Sequence, residues 1–118
     1  MAFYFSNKLS VEIEDKQYTI DLSTNKVIEA INEIRNKSIV IAQIKEPELN
    51  DIQNYVESMQ NFIEELLGKQ SFEKIFKDRV IDFNNIAELV QYLLAEIEKF
   101  KIQKLNKIVD SNTPEKLN

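Results

Sequence analysis

Between Lys8 and Leu22 apolar side chains alternate with polar ones: Leu9, Val11 and Ile13 first, then Tyr18, Ile20 and Leu22. A period of two belongs to extended chain with one face buried, so this stretch predicts two strands. The charged interruption Glu14-Asp15-Lys16-Gln17 is short enough for a tight turn, which gives a β-hairpin over residues 8–22. It lacks the Asn-Gly or Asp-Gly pair that most favours two-residue turns. A lone hairpin is marginal in water, so its apolar face is expected to lie against helices. Phe3 and Phe5 read either as an extension of the first strand or as a cover for an open end of the core.

After Leu22 the spacing changes to threes and fours. Val27, Ile28, Ile31 and Ile34 mark an amphipathic helix starting near Asn25, with Ser23 or Thr24 suited to cap it through a side-chain oxygen. The β-branched run Ser38 to Ile44 is open to a strand reading. It continues a helical stretch directly, however, and stops three residues before Pro47, so one helix over residues 25–44 is the expectation. Lys45-Glu46-Pro47 then forms a hinge, with Pro47 placed in the first turn of the next helix.

That next helix, residues 47–67, is the stretch around which the rest is organised. Ile52, Val56, Met59, Phe62, Ile63, Leu66 and Leu67 fall on one side of it, and Gly68, the only glycine in the chain, follows at once. Glycine adopts left-handed backbone without a steric penalty, so Gly68 is expected to close the helix in that conformation. Ser71 is a candidate cap for a short helix over 71–77, in which Phe72, Ile75 and Phe76 return to the core. After a connector, Asp82 or Asn84 caps a last helix over 85–108. Ile86, Leu89, Val90, Leu93, Leu94, Ile97 and Phe100 supply its apolar stripe, continued by Leu105, Ile108 and Val109 beyond what so small a domain needs to cover. Residues 111–118 read as a flexible tail. The predicted fold is α+β, mainly α: one domain over residues 1–110, with an N-terminal hairpin packed on a body of about four helices.

Composition narrows function by exclusion. The 118 residues are 43% apolar and 30% charged, an ordinary globular balance. With neither Cys nor His, the chain has no means of forming a disulfide, a conventional zinc site, a cysteine nucleophile or a serine–histidine pair. The net charge is −5, with basic residues interleaved among acidic ones, which argues against nucleic acid as a ligand. The sequence shows neither a basic leader followed by an apolar run nor a membrane-spanning stretch, so a cytoplasmic protein is expected. Paired acids such as Glu64-Glu65 and Glu96 with Glu98 suggest acid–base or metal chemistry, and a solvated helix face accounts for them. Asp78-Arg79 could orient a phosphate, but a lone arginine in an acidic chain reads as a surface ion-pair residue, and Tyr4, Tyr18, Tyr55 and Tyr92 read as core-edge residues. One glycine makes no phosphate loop.

The residues alone thus give an architecture and no reaction chemistry. Leu67-Gly68-Lys69-Gln70-Ser71-Phe72-Glu73-Lys74-Ile75-Phe76, however, resembles the "LG-x-x-x-F-x-x-IF" segment of the tail assembly chaperones of siphophages and Gram-positive prophages. The family's hairpin pattern "x-L-x-V-x-I-x-x-K-x-Y-x-I-D-L" is similarly matched by Leu9, Val11, Ile13, Lys16, Tyr18, Ile20, Asp21 and Leu22. The order of helices agrees as well, and the resemblance spans residues 8 to 100. It implies a protein with no enzymatic activity and no cofactor, working in the bacterial host cytoplasm. Its partners would be the tape measure protein, which it keeps soluble, and tail tube subunits, which it helps recruit, with no role for nucleic acid or membrane. Some family members also have a longer frameshifted form. Leu67, Gly68, Phe72, Ile75 and Phe76 would be its structural motif. The excess length of the last helix makes Phe100, Leu105, Ile108 and Val109 the candidate partner-binding residues and leaves homo-oligomerisation open. The alternative is a small regulatory or antitoxin-like helical protein that dimerises through that helix.

Overall fold

The change of period at Ser23 is the boundary between a sheet and four helices. A computed structural model describes residues 7–112, in the order β1 (Lys8–Ile13), β2 (Lys16–Asp21), α1 (Asn25–Gln43), α2 (Leu49–Leu67), α3 (Ser71–Ile75) and α4 (Phe83–Asn112). The architecture is α+β and mainly α, as the periodicity predicts. The expectations for Phe3, Tyr4 and Phe5, and for the tail from residue 113 onward, lie outside the described residues.

β1 and β2 pair antiparallel, with Leu9 opposite Ile20 and Val11 opposite Tyr18. This register puts Leu9, Val11, Ile13 and Ile20 on the buried face and the even-numbered residues of β1 in solvent. Ile13 pairs with Lys16, so the loop has only two residues, and both Glu14 (φ 50°) and Asp15 (φ 65°) take positive φ. Positive φ at both central positions matches the right-handed twist of the strands, and the fold imposes it here on residues with a Cβ. The buried face lies against helices: β2 packs on α2 and β1 on α4. The Tyr92 hydroxyl of α4 also donates to the Glu12 carbonyl of β1 at 3.0 Å.

Thr24, rather than Ser23, caps α1, its side chain accepting from the Val27 amide. Ser23 instead donates through its amide and its hydroxyl to Asp21, whose carboxyl is held below the usual range by those two bonds. The Ser38–Ile44 run is helical almost to its end, and the strand alternative is not realised. Ile39 and Val40 are exposed on this helix, and Ser38 fixes its far end. The Ser38 hydroxyl lies 2.8 Å from the Ile34 carbonyl and 2.7 Å from the Tyr55 hydroxyl of α2.

Pro47 does not enter α2. The helix starts two residues later with Glu48 as its cap, because the Glu48 amide donates to the Asp51 carboxylate at 2.9 Å, one half of a capping box. From there α2 is the hub of the fold, packing against α1, α3, α4 and β2. Met59, Phe62, Ile63 and Leu66 are its buried residues, and Ile31, Ile34, Leu93 and Ile97 are among the residues that complete the core around them.

α4 is longer than its apolar stripe suggests. Asp82 accepts from the Asn85 amide at 2.8 Å and starts the helix at Phe83, so Asn84 lies inside it. The helical backbone also continues to Asn112, which takes in the first two residues assigned to the tail. At 1.5 Å per residue, 30 residues make a rod of about 45 Å. The Cα radius of gyration, 17.5 Å, exceeds the ~13.5 Å of a compact chain of this length, as expected where one helix outruns the core.

The hairpin turn supplies a direct test of backbone strain. Asp15→Gly removes the Cβ from a left-handed position and should raise stability by up to about 1 kcal/mol in chemical denaturation, after the entropic cost of glycine is deducted. Equal or lower stability would show that the turn is not strained at this position.

Candidate functional site

The sequence motif at the end of α2 folds as a sharp turn. Gly68 closes the helix, its amide donating to the Glu64 carbonyl at 2.9 Å, and its φ of 109° is positive as expected. Its ψ of 159° is not that of the left-handed helical region. Gly68 instead occupies an extended positive-φ conformation that is essentially restricted to glycine, while Gln70 (φ 69°, ψ 0°) takes the left-handed position. The chain needs both residues to reverse direction. Gln70 therefore serves as the cap position of α3, and Ser71, the expected cap, sits inside the helix with its hydroxyl buried and without a partner.

The turn returns Phe72 and Phe76 to the core, both buried, with ring centroids 4.7 Å apart. Leu67 and Ile75 are partly buried beside them. α3 ends at Ile75, and Phe76 forms its C-cap by donating its amide to the Phe72 carbonyl, so the predicted helix to residue 77 is two residues too long. The motif residues are thus brought together as structure, and Ile75 and Phe76 also line an open depression of about 280 Å³. Ile13 and Leu89 complete its apolar floor, and Arg79 and Glu14 bridge its edge at 2.7 Å. Arg79 is therefore an ion-pair residue, as read from the sequence. The depression itself was not legible there, because its lining comes from β1, α3 and α4, which lie far apart in the chain.

The second candidate surface is the end of α4. Its buried residues are Ile86, Val90, Leu93 and Ile97, and Phe100 is partly buried. Beyond Phe100 no described residue belongs to the core. Ile102, Leu105, Ile108 and Val109 are 53–59% exposed and, at spacings of three, four and seven, share one side of the helix. Leu105, Ile108 and Val109 were singled out by sequence, whereas Ile102 was missed, although the same spacing includes it. Leu105 and Ile108 line a shallow furrow that runs back to Phe100, Leu22 and Asn7, so this arm is continuous with the end of the hairpin. At its root, Glu98 of α4 pairs with Arg35 of α1, and the hydrogen bond from Arg35 holds the Glu98 carboxyl below the usual range. The Lys104 ammonium lies 5.7 Å from the centre of the Phe100 ring.

Elsewhere the candidate chemistry takes its plain reading. Glu96 faces Lys99 at 4.0 Å and Glu98 faces Arg35. Among the described residues no group of three or more acidic residues is placed to hold a metal ion. None of the described helices is long and apolar enough to cross a membrane. Tyr18 and Tyr55 sit at the margin of the core, Tyr55 with its ring 5.9 Å from that of Phe83. Comparison with known proteins returns no matching family model, curated protein or solved structure.

Two measurements test these sites. An added Cβ at Gly68 meets nothing within 4 Å, so Gly68→Ala isolates the backbone penalty and should cost about 1–3 kcal/mol. Gly68→Asn should fare no better, since asparagine's tolerance of left-handed helix does not extend to a ψ of 159°. Gln70→Gly should be stabilising, and the opposite signs at positions two residues apart, read by thermal unfolding, check the turn.

The second test is pH. Because the folded pKa of Glu98 is lowered, its pairing with Arg35 stabilises the fold at neutral pH. That contribution is lost as pH falls from the ordinary glutamate value of 4.5 through the folded pKa. Glu98→Gln should therefore melt lower than wild type at pH 7, and the gap should shrink on acidification. A gap that does not change with pH would dismiss the pair.

Proposed function

We propose that the protein is a tail assembly chaperone that holds amphipathic helical segments of a tape measure protein in solution during tail assembly and helps bring tail tube subunits to them. The observation that carries this reading is the arm of α4, a preformed helix whose apolar residues Ile102, Leu105, Ile108 and Val109 are exposed and lie outside the described core. A long, helical, self-associating client needs such a surface, and no residue with catalytic chemistry is required beside it. The resemblance of the hairpin pattern and of the segment from Leu67 to Phe76 supports the same role. In this reading the motif builds the body and the arm meets the client.

Coexpression with a tape measure fragment from the same genome is the test. Truncation after Phe100 removes none of the described core residues, so the shortened protein should keep its melting temperature and lose most of its ability to hold the fragment soluble. Full retention of that ability would move the binding surface elsewhere. If the arm instead makes a stable homodimer that Leu105→Asp disrupts with no effect on the fragment, the regulatory, antitoxin-like reading takes its place.

A further inference from the structure

The arm differs from the rest of the chain in charge. Residues 101–112 hold Lys101, Lys104 and Lys107 against Asp110 alone, a net +2 in a chain of net −5, so everything else together carries −7. The contrast is sharpest with α2, whose charged residues are Asp51, Glu57, Glu64 and Glu65 with no cation. The lysines are also placed with respect to the apolar residues. Lys101, Lys104 and Lys107 recur at intervals of three and run along one edge of the stripe formed by Ile102, Leu105, Ile108 and Val109, whereas Gln103 and Asn106 border the other side. A helix arranged this way offers apolar contact and a row of positive charge to the same partner.

We infer that the arm recognises an acidic amphipathic helix, one whose apolar stripe is edged by glutamate or aspartate. The inference rests on the reading of the arm as the client-binding surface and adds the chemistry of the client. Two arms of this chain, each net +2, repel one another, which disfavours arm-to-arm pairing of copies. An anionic bilayer also attracts basic amphipathic helices, but here the arm is only about 18 Å long and emerges from a body of net −7. A flat anionic surface touching the arm brings that body close to the Debye length of about 8 Å, whereas a single helix laid along the arm does not.

Binding of two designed helical peptides with the same apolar stripe, one edged with Glu and one with Lys, tests this by fluorescence anisotropy on the full chain. At low salt the Glu-edged peptide should bind about tenfold more tightly, the sum of a few exposed ion pairs, and the difference should fade as salt is raised. In Lys101→Glu/Lys104→Glu/Lys107→Glu the preference should invert, and in the corresponding Gln triple variant it should vanish, with melting temperatures confirming that both fold. Equal binding of the two peptides that is lost on truncation after Phe100 would overturn the inference and leave the chaperone reading in place. Peptide binding that survives truncation would overturn the inference and move the client-binding surface off the arm. Capture by phosphatidylglycerol vesicles in preference to either peptide, or an arm-dependent oligomer that the Glu-edged peptide does not dissociate, would assign the surface to a membrane or to a second copy and overturn the inference.

Discussion

Everything in the body depends on one helix having no solvent-facing stripe of its own to spare on the side that carries Met59, Phe62, Ile63 and Leu66. Those four residues are buried by α1, α3, α4 and β2 together, so each of these elements is placed by what it must cover on α2. Removing water from that stripe is the main driving force, at about 25 cal/mol per Å² of apolar surface. The polar contacts select the arrangement. Tyr92 sets the level at which α4 meets β1, and Ser38 with Tyr55 sets how α1 meets α2.

The turn at Gly68 follows from the same constraint. α2 has to stop where its partners stop, and the chain must come back so that Phe72 and Phe76 cover its end. A single glycine in the whole chain stands at the one place where φ is 109° and ψ 159°, while the residues at Glu14, Asp15 and Gln70 tolerate positive φ with a side chain attached. The conformation at Gly68 is the less forgiving of the two, since the other three positions have φ values near the left-handed helix that any L-residue can enter at moderate cost.

Much of this could be read from spacing. Alternation gave the hairpin and its buried face, and the three-and-four pattern gave four helices with nearly their observed limits. What spacing could not supply was the local competition at the ends. Pro47 is compatible with a first turn, but Glu48 and Asp51 form a better start, and the helix begins two residues later. Ser71 has the chemistry of a cap, but the left-handed backbone at Gln70 leaves it inside the helix. Asp82 prevailed over Asn84 because only its carboxylate reaches the Asn85 amide. The candidate surface was legible where it continued a stripe, in Leu105, Ile108 and Val109. The depression over Ile75 and Phe76 was not, since it exists only once three elements meet.

One property of α4 sets the energetics of anything that docks on its end. A peptide of a dozen residues cut from positions 99–110 would be largely unstructured in water, because the first turn of a helix fixes several dihedrals for one hydrogen bond, with a nucleation constant on the order of 10⁻³. In the intact chain that turn is already made, many residues upstream, by the burial of Ile86, Val90, Leu93 and Ile97. The arm is a continuation and needs only propagation. A partner therefore meets a surface whose ordering cost has been met by the folding of the body, and more of the contact energy remains available as affinity.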